Sequence, residues 1–282
     1  MNIRKIGVIG AGLMGAGIAQ VAAQAGYQVI LRDLEDKLVE KGFSVIKKNL
    51  EKAQSKGKLT KDEVQEVLGR MSTTTQLGDL QDADLIIEAI IEHMPIKKEL
   101  FTQLDQICKP EAIFATNTSG LSITELATVT KRCQQVIGMH FFNPVPVMKL
   151  VEIIRGEETS TEVLEVIRQV TEKMGKESIT VNEAPLFAVN RILVPMLNEA
   201  MFVLMEGIAE AEDIDKGMCL GANHPIGPLA LADLVGLDTL LFVMETLHKE
   251  TGDSKYRPCP LLRQKVRAGH LGKKTGQGFY KY

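Results

Sequence analysis

The stretch Ile3-Arg4-Lys5-Ile6-Gly7-Val8-Ile9-Gly10-Ala11-Gly12-Leu13-Met14-Gly15-Ala16-Gly17 decides the fold. A largely β-branched run from Ile3 stops at glycine after Ile9, and Gly10, Gly12 and Gly15 then fit the spacing G-x-G-x-x-G. Leu13 to Ala25 is small and apolar with no breaker after Gly17, which predicts a closely packed helix. Tyr27 to Leu31 reads as a second strand and runs into Arg32-Asp33, with Asp33 standing 18 residues beyond Gly15. Strand, glycine turn, helix and strand within about 30 residues make one βαβ unit. In such a unit the first glycine makes the turn, the second lets the backbone approach a pyrophosphate, and the third lets helix and strand pack closely. The helix N-terminus offers amide donors and a positive dipole end to the phosphates. Gly10, Gly12, Leu13, Met14 and Gly15 are therefore candidate cofactor contacts.

Asp33 is placed to accept hydrogen bonds from an adenosine ribose. Its charge would repel a 2′-phosphate, so NAD is expected ahead of NADP. Arg32 is adjacent and keeps NADP open, although strand alternation would send its side chain to the opposite face. Residues 6–31 carry no charge and are long enough to cross a bilayer. A glycine cluster at the start and Gln20, Gln24 and Gln28 along the stretch argue against a membrane helix, and no cleavage site follows a short apolar core. No membrane partner is expected.

Outward from this unit, Asp36 to Lys58 carries an apolar helical stripe at Leu38, Phe43, Ile46 and Leu50, and Thr60 can cap a further helix reaching Leu68. Strand-like runs recur at 85–89, 113–115, 136–140, 150–154 and 178–181, with helical stretches at 96–107 and 161–174 between them. That alternation predicts an α/β fold, a largely parallel Rossmann-type sheet covered on both faces. After Ala184-Pro185 the chain becomes helical, with segments at 186–205 (interrupted by Pro195), 211–220, 228–234 and 238–247. The expected division is a dinucleotide-binding domain over 1–184 and an all-helical substrate and dimerisation domain over 185–282.

With 282 residues, 45 % hydrophobic and 24 % charged, the chain has the composition of a folded globular protein. A formal net charge of −3 gives no general attraction for nucleic acid. Cys108, Cys133, Cys219 and Cys259 are far apart and read as reduced thiols of a cytoplasmic protein. His93, His224, His248 and His270 lack metal-ligand spacing, and no metal site is expected.

His140 ends a strand-like run, and a histidine titrates near neutral pH, as suits an acid/base. Glu152 lies inside the apolar run Val151-Glu152-Ile153, where a carboxylate needs a partner. From the residues alone each keeps a structural alternative. His140 could be a packed histidine, Glu152 an edge-strand charge, Ser119 part of a turn at Ser119-Gly120, and Asn190 a helix cap.

The motifs taken together resemble the L-3-hydroxyacyl-CoA dehydrogenase family over essentially the whole chain. The resemblance is carried by Val8-Ile9-Gly10 through Gly15, Asn117-Thr118-Ser119, Gly138-Met139-His140-Phe141-Phe142-Asn143-Pro144, Met148-Lys149-Leu150-Val151-Glu152, Val189-Asn190-Arg191 and Gly272-Lys273-Lys274-Thr275-Gly276. It implies that His140 is the catalytic acid/base, that Glu152 orients it, and that Ser119 and Asn190 bind substrate and assist. It further implies cofactor contacts at Glu92, Lys97, Asn117, Ser119, Asn143 and Lys274, and coenzyme A contacts at Asn49 and Lys56. The implied partners are an acyl-CoA substrate and a second copy of the chain, joined through the helical domain. Lys37, Lys41, Lys48, Lys52 and Lys56 share a helical face that reads either as a solvated stripe or as a phosphate cradle.

Two departures stand out. Gly120 replaces a second serine after Ser119, and Leu186 replaces a glycine ahead of Val189-Asn190-Arg191. The rival enzyme class, 3-hydroxyisobutyrate-type dehydrogenases, uses N-x-x-x-K on the long helix, but Phe202 stands four residues after Asn198. A non-catalytic, crystallin-like member of the family is the alternative from a different class. Retention of His140 with Glu152 argues against it.

Overall fold

The computed structural model describes residues 2–282 and divides into two compact units, the first ending at Glu183 and the second beginning at Ala184. The first contains β1 (Lys5–Ile9), α1 (Leu13–Gln24), β2 (Gln28–Arg32), α2 (Asp36–Ser55), α3 (Lys61–Gly69), β3 (Met71–Thr74), β4 (Leu85–Glu88), α4 (Met94–Ile107), β5 (Ile113–Thr116), α5 (Ile123–Ala127), β6 (Val136–Phe141), β7 (Leu150–Arg155), α6 (Thr161–Lys173) and β8 (Glu177–Asn182). The eight strands form one sheet in the order β3-β2-β1-β4-β5-β6-β7-β8. Every neighbouring pair is parallel except β6 with β7. Ile6, Val8, Leu31, Ile87, Ile113 and Ile137 from adjacent strands are sealed in its core.

Local chemistry accounts for the elements nearest the site. In α1, the run from Gly15 to Ala23 is buried without a break, which its small residues allow. A Cβ on Gly15 would lie 1.7 Å from the carbonyl oxygen of Gly10, so only glycine lets the helix start this close to the strand. Thr60 and Glu63 form a reciprocal capping box at the start of α3. The sequence reading passed over β3, because Met-Ser-Thr-Thr is short, polar and half-exposed, as an edge strand can be.

The second unit consists of α7 (Val189–Met205), α8 (Ala211–Gly221), α9 (Pro228–Val235), α10 (Leu237–Thr251) and α11 (Pro260–Arg267). Leu197, Met201, Leu229, Leu237, Leu240, Met244, Leu247 and Leu262 fill its core. The helix expected from Leu186 starts three residues later, because Leu186 and Phe187 hold φ of 60° and 59°. A left-handed backbone costs a side-chain-bearing residue about 1–2 kcal/mol. Leu186 is buried in the core of this unit, and burying a leucine contributes about 1.5–3 kcal/mol in the opposite direction. Pro195 lies inside α7. The C-terminal segment forms two isolated bridges, Gly272 with Gln277 and Gln277 with Lys281.

Two buried aspartates hold that segment. Asp233 accepts the amides of Phe279 and Tyr280 at 2.9 Å and the hydroxyl of Tyr282 at 3.1 Å. Asp215 accepts the amides of Leu229 and Ala230 at 2.8 and 2.9 Å and the hydroxyl of Tyr280 at 2.8 Å. No helix among the described residues is long and apolar enough to cross a membrane.

Candidate active site

The antiparallel ladder between β6 and β7 sets His140 directly opposite Glu152. Directly opposed residues project to the same face of a sheet, so register alone brings imidazole and carboxylate together. His140 Nδ1 lies 2.8 Å from Glu152 Oε2, and both residues are buried. The Phe142 ring sits 4.5 Å from the imidazole, centroid to centroid. A carboxylate on Nδ1 fixes the tautomer of the ring and stabilises the positive charge it takes on with a proton. Nε2, on the opposite edge, is then the nitrogen that can exchange a proton with a substrate.

The glycine turn opens a cleft of about 780 Å³ whose walls include Gly10, Gly12, Met14, Asp33, Leu34 and Ile91. A Cβ on Gly12 would meet nothing within 4 Å, so the second glycine faces open space where a pyrophosphate can approach. No side chain caps the start of α1 and no acidic residue occupies its first turn, which leaves its amides and dipole available to an anion. Asp33 accepts the amide of Ala11 through Oδ2 and that of Leu34 through Oδ1, both at 2.7 Å. It therefore ties the glycine turn to the end of β2, and each oxygen keeps a second lone pair for a ribose hydroxyl. These residues fit a dinucleotide. Arg32 departs from the alternation argument: it lines the same cleft as Asp33, with Nε donating to the carbonyl of Thr75 at 3.3 Å. β2 ends at Arg32, so strict alternation stops there.

Two loops at the carboxyl end of the sheet carry Glu92, Asn117 and Ser119. Asn117 follows β5, and its Oδ1 accepts the amide of Phe141 at 2.9 Å, next to His140. Glu92 Oε1 accepts the Thr118 hydroxyl at 2.5 Å, the Ser119 amide at 2.9 Å and the Ser119 hydroxyl at 3.3 Å. Lys97 lies on α4. It is 1 % exposed, with Nζ 2.6 Å from Glu88 Oε1 and 3.3 Å from Glu92 Oε2. Burial on the inner face of α4 turns its ammonium toward the two carboxylates.

The sequence reading missed Glu88, which is fully buried at the end of β4. A carboxylate closing the apolar run Leu85-Ile86-Ile87 carried the same signal that singled out Glu152. Lys176 was missed too. It is buried, and its ammonium binds the carbonyls of Val145 (2.5 Å) and Met148 (2.8 Å) in the loop after β6. Burial lowers its pKa.

Asn143 is exposed in that loop, where the Asn143–Pro144 peptide is cis. Asn49 is exposed on α2 and donates to Gln20 at 3.2 Å, and Lys56 is exposed at the C-terminal end of the same helix. Lys37, Lys41, Lys48 and Lys52 are exposed as well. Asn190 and Lys274 belong to the second unit. Asn190 occupies the first turn of α7, and Lys274 donates to Asp238 Oδ2 at 2.7 Å.

A Rossmann-type sheet with a dinucleotide cleft at its glycine turn, and an imidazole–carboxylate pair at the carboxyl end of β6, defines a nicotinamide-dependent dehydrogenase. Residues 5–184 match the family model described as 3-hydroxyacyl-CoA dehydrogenase, NAD binding domain, and residues 187–282 match the C-terminal domain of the same family. The chain belongs to the 3-hydroxyacyl-CoA dehydrogenase family, and NAD is its cofactor. It is 56 % identical to a probable 3-hydroxybutyryl-CoA dehydrogenase of Deinococcus radiodurans, over 99 % of this chain and 100 % of that one. It is 51 % identical to a 3-hydroxybutyryl-CoA dehydrogenase of Clostridioides difficile, over 99 % of each. The crystal structure of an (S)-3-hydroxybutyryl-CoA dehydrogenase from Ralstonia eutropha superposes with a TM-score of 0.98 at 50 % identity, covering 100 % of this chain and 99 % of that one.

Proposed function

We propose that this chain interconverts (S)-3-hydroxybutanoyl-CoA and acetoacetyl-CoA, a step of butanoate and fatty acid metabolism. The observation that carries the reading is the His140–Glu152 pair, held at 2.8 Å by strand register in the same sheet as the dinucleotide cleft. The names of the relatives support the substrate. NAD held in that cleft by the glycine turn and Asp33 would supply the hydride acceptor for oxidation and the hydride donor for reduction. In oxidation His140 Nε2 takes the hydroxyl proton as the carbonyl forms, and Glu152 stabilises the resulting imidazolium. In reduction the ring returns that proton. Ser119 and Asn190 bind substrate and assist, Asn49 and Lys56 meet the coenzyme A portion, and Asn117, Asn143, Glu92, Lys97 and Lys274 act on the cofactor side.

The two units serve as a dinucleotide-binding domain and a helical substrate and dimerisation domain. Ile192, Leu220 and Phe242, 73 %, 78 % and 57 % exposed, supply apolar surface in the helical unit for a second copy of the chain. Widely spaced reduced cysteines support a cytoplasmic site of action.

The test is absorbance at the reduced-nicotinamide band, with acetoacetyl-CoA or free acetoacetate and with NADH or NADPH. The expected result is turnover of acetoacetyl-CoA with NADH, and a far lower kcat/KM for free acetoacetate, because remote binding energy orients the reacting centre. Comparable kcat/KM for the two substrates would overturn the thioester assignment.

A further inference from the structure

Glu88 ends β4, and its side chain bonds to the loop after β4, to α4 and to the end of β5. Its Oε1 accepts the amide of Ile90 at 2.7 Å and the ammonium of Lys97 at 2.6 Å. Its Oε2 accepts the hydroxyl of Thr116 at 2.6 Å, and its main-chain carbonyl accepts the amide of Asn117 at 2.7 Å. Three elements therefore converge on one residue: the loop after β4, the helix α4 and the end of β5. Thr116 passes the constraint on, since its Oγ1 accepts the Thr118 amide at 3.3 Å. Lys97 passes it the other way, to Glu92, and Glu92 in turn holds Thr118 and Ser119. Asn117 closes the circuit by binding the amide of Phe141, beside His140.

We infer that Glu88 is a positioning residue of the dehydrogenase reaction. Acting through Lys97 and Thr116, it fixes the loops that present Glu92, Asn117 and Ser119. The inference rests on the site roles proposed above. Lys97 is the strut between Glu88 and Glu92.

The physical argument starts from cost. Glu88 and Lys97 are 0 % and 1 % exposed. Removing two charges from water is expensive, and apolar replacements of similar size often match or exceed the stability of a buried ion pair. An ion pair in this place contributes geometry more than stability. Oε1 and Oε2 fix direction in a way an apolar contact does not, because each donor must arrive along a lone pair. A packed methionine in place of Lys97 would fill the space and leave Glu92 with no cation to set the position of its carboxylate.

The experiment compares wild type with Lys97→Met, the charge-neutral double variant Glu88→Gln/Lys97→Met, Thr116→Val and Thr116→Ser. Each is measured for thermal stability, for NADH affinity by fluorescence titration, and for kcat and KM with acetoacetyl-CoA. The double variant removes both buried charges together, so it is expected to melt close to wild type. It should nevertheless bind NADH at least tenfold more weakly and lose at least tenfold in kcat. Thr116→Val keeps the side-chain volume but loses the donor to Glu88, and should shift the same two parameters. Thr116→Ser restores the hydroxyl and should recover most of the loss.

A double variant with both wild-type stability and wild-type NADH affinity and kcat would overturn the inference, leaving the pair as packing only. So would equal effects of Thr116→Val and Thr116→Ser. If the double variant fails to fold, the two Thr116 variants decide. If wild type itself does not turn over acetoacetyl-CoA, the function proposed above has failed. NADH affinity across the same set then decides the positioning role independently.

Discussion

Glu152 in the sheet unit and Asp233 in the helical unit are both sealed from water, at 0 % and 1 % exposure, yet their oxygens meet different chemistry. Glu152 faces an imidazole, a group that can gain and lose a proton. Asp233 faces two main-chain amides and a phenol, and Asp215 is met in the same way. Each buried carboxylate needs donors to offset its lost hydration. Where those donors are amides the carboxylate is a strut, holding one stretch of chain against another. Where the partner is a titratable ring at the end of a parallel strand, the same desolvated charge can support proton transfer. Burial alone does not distinguish the two uses; the partner does.

The sharpest way to break that distinction is to remove the ring. His140→Gln is expected to lose about two to four orders of magnitude in kcat, the usual worth of a positioned acid/base. It should still bind NADH and melt near the wild-type temperature. Glu152→Gln should follow with a smaller loss of turnover, since the amide keeps the shape and loses the charge. More than a tenth of wild-type kcat in His140→Gln would end the acid/base assignment.

The opposite pattern is expected in the helical unit. Asp233→Ala leaves the amides of Phe279 and Tyr280 without their acceptor. The loss should be about 3 kcal/mol, since each unsatisfied buried group costs about 1–3 kcal/mol. Urea denaturation measures it. A loss below about 1 kcal/mol would show that Asp233 is not a strut.

The smallest effect is a matter of pH. Burial raises the pKa of Tyr280, helped by its hydrogen bond to Asp215. Burial and the charge of Asp233 push Tyr282 up to about 12. An unfolded tyrosine ionises near 10. Below that pH neither state has lost the proton and the contribution is complete. Above it the unfolded chain binds fewer protons than the folded one, so stability falls as pH rises toward the folded values. Thermal melts from pH 8 to 11 should show this decline, and Tyr280→Phe should flatten it. Equal slopes for the two proteins would remove Tyr280 from the account.

The parts of the molecule that were legible in the sequence are those set by short spacing. Gly10, Gly12 and Gly15 announce their turn within six residues, and Thr60 announces the start of the helix it caps. Glu152 showed itself because a charge inside an apolar strand needs a partner. Glu88 obeys the same rule, yet sits at the end of its run, where a charge also reads as the first residue of a loop. The burial of Lys97 had no local signal, because it comes from the position of α4 over Glu88. Asp233 and the C-terminal segment are more than 40 residues apart, and no local pattern links them. The left-handed backbone at Leu186 ran against the preference of its own side chain, so the helix start was misjudged by three residues.

The hairpin of β6 and β7 also shapes how this chain can change over generations. The ladder from Gly138 opposite Ile154 to Phe141 opposite Val151 fixes the spacing of His140 and Glu152. The connecting segment, residues 142–149, lies outside that ladder. Codons gained or lost there reshape what surrounds the imidazole while the pair keeps its place. One codon gained inside either strand turns every following side chain to the other face and separates ring from carboxylate. Natural variation in length therefore has a permitted address and a forbidden one only a few residues apart.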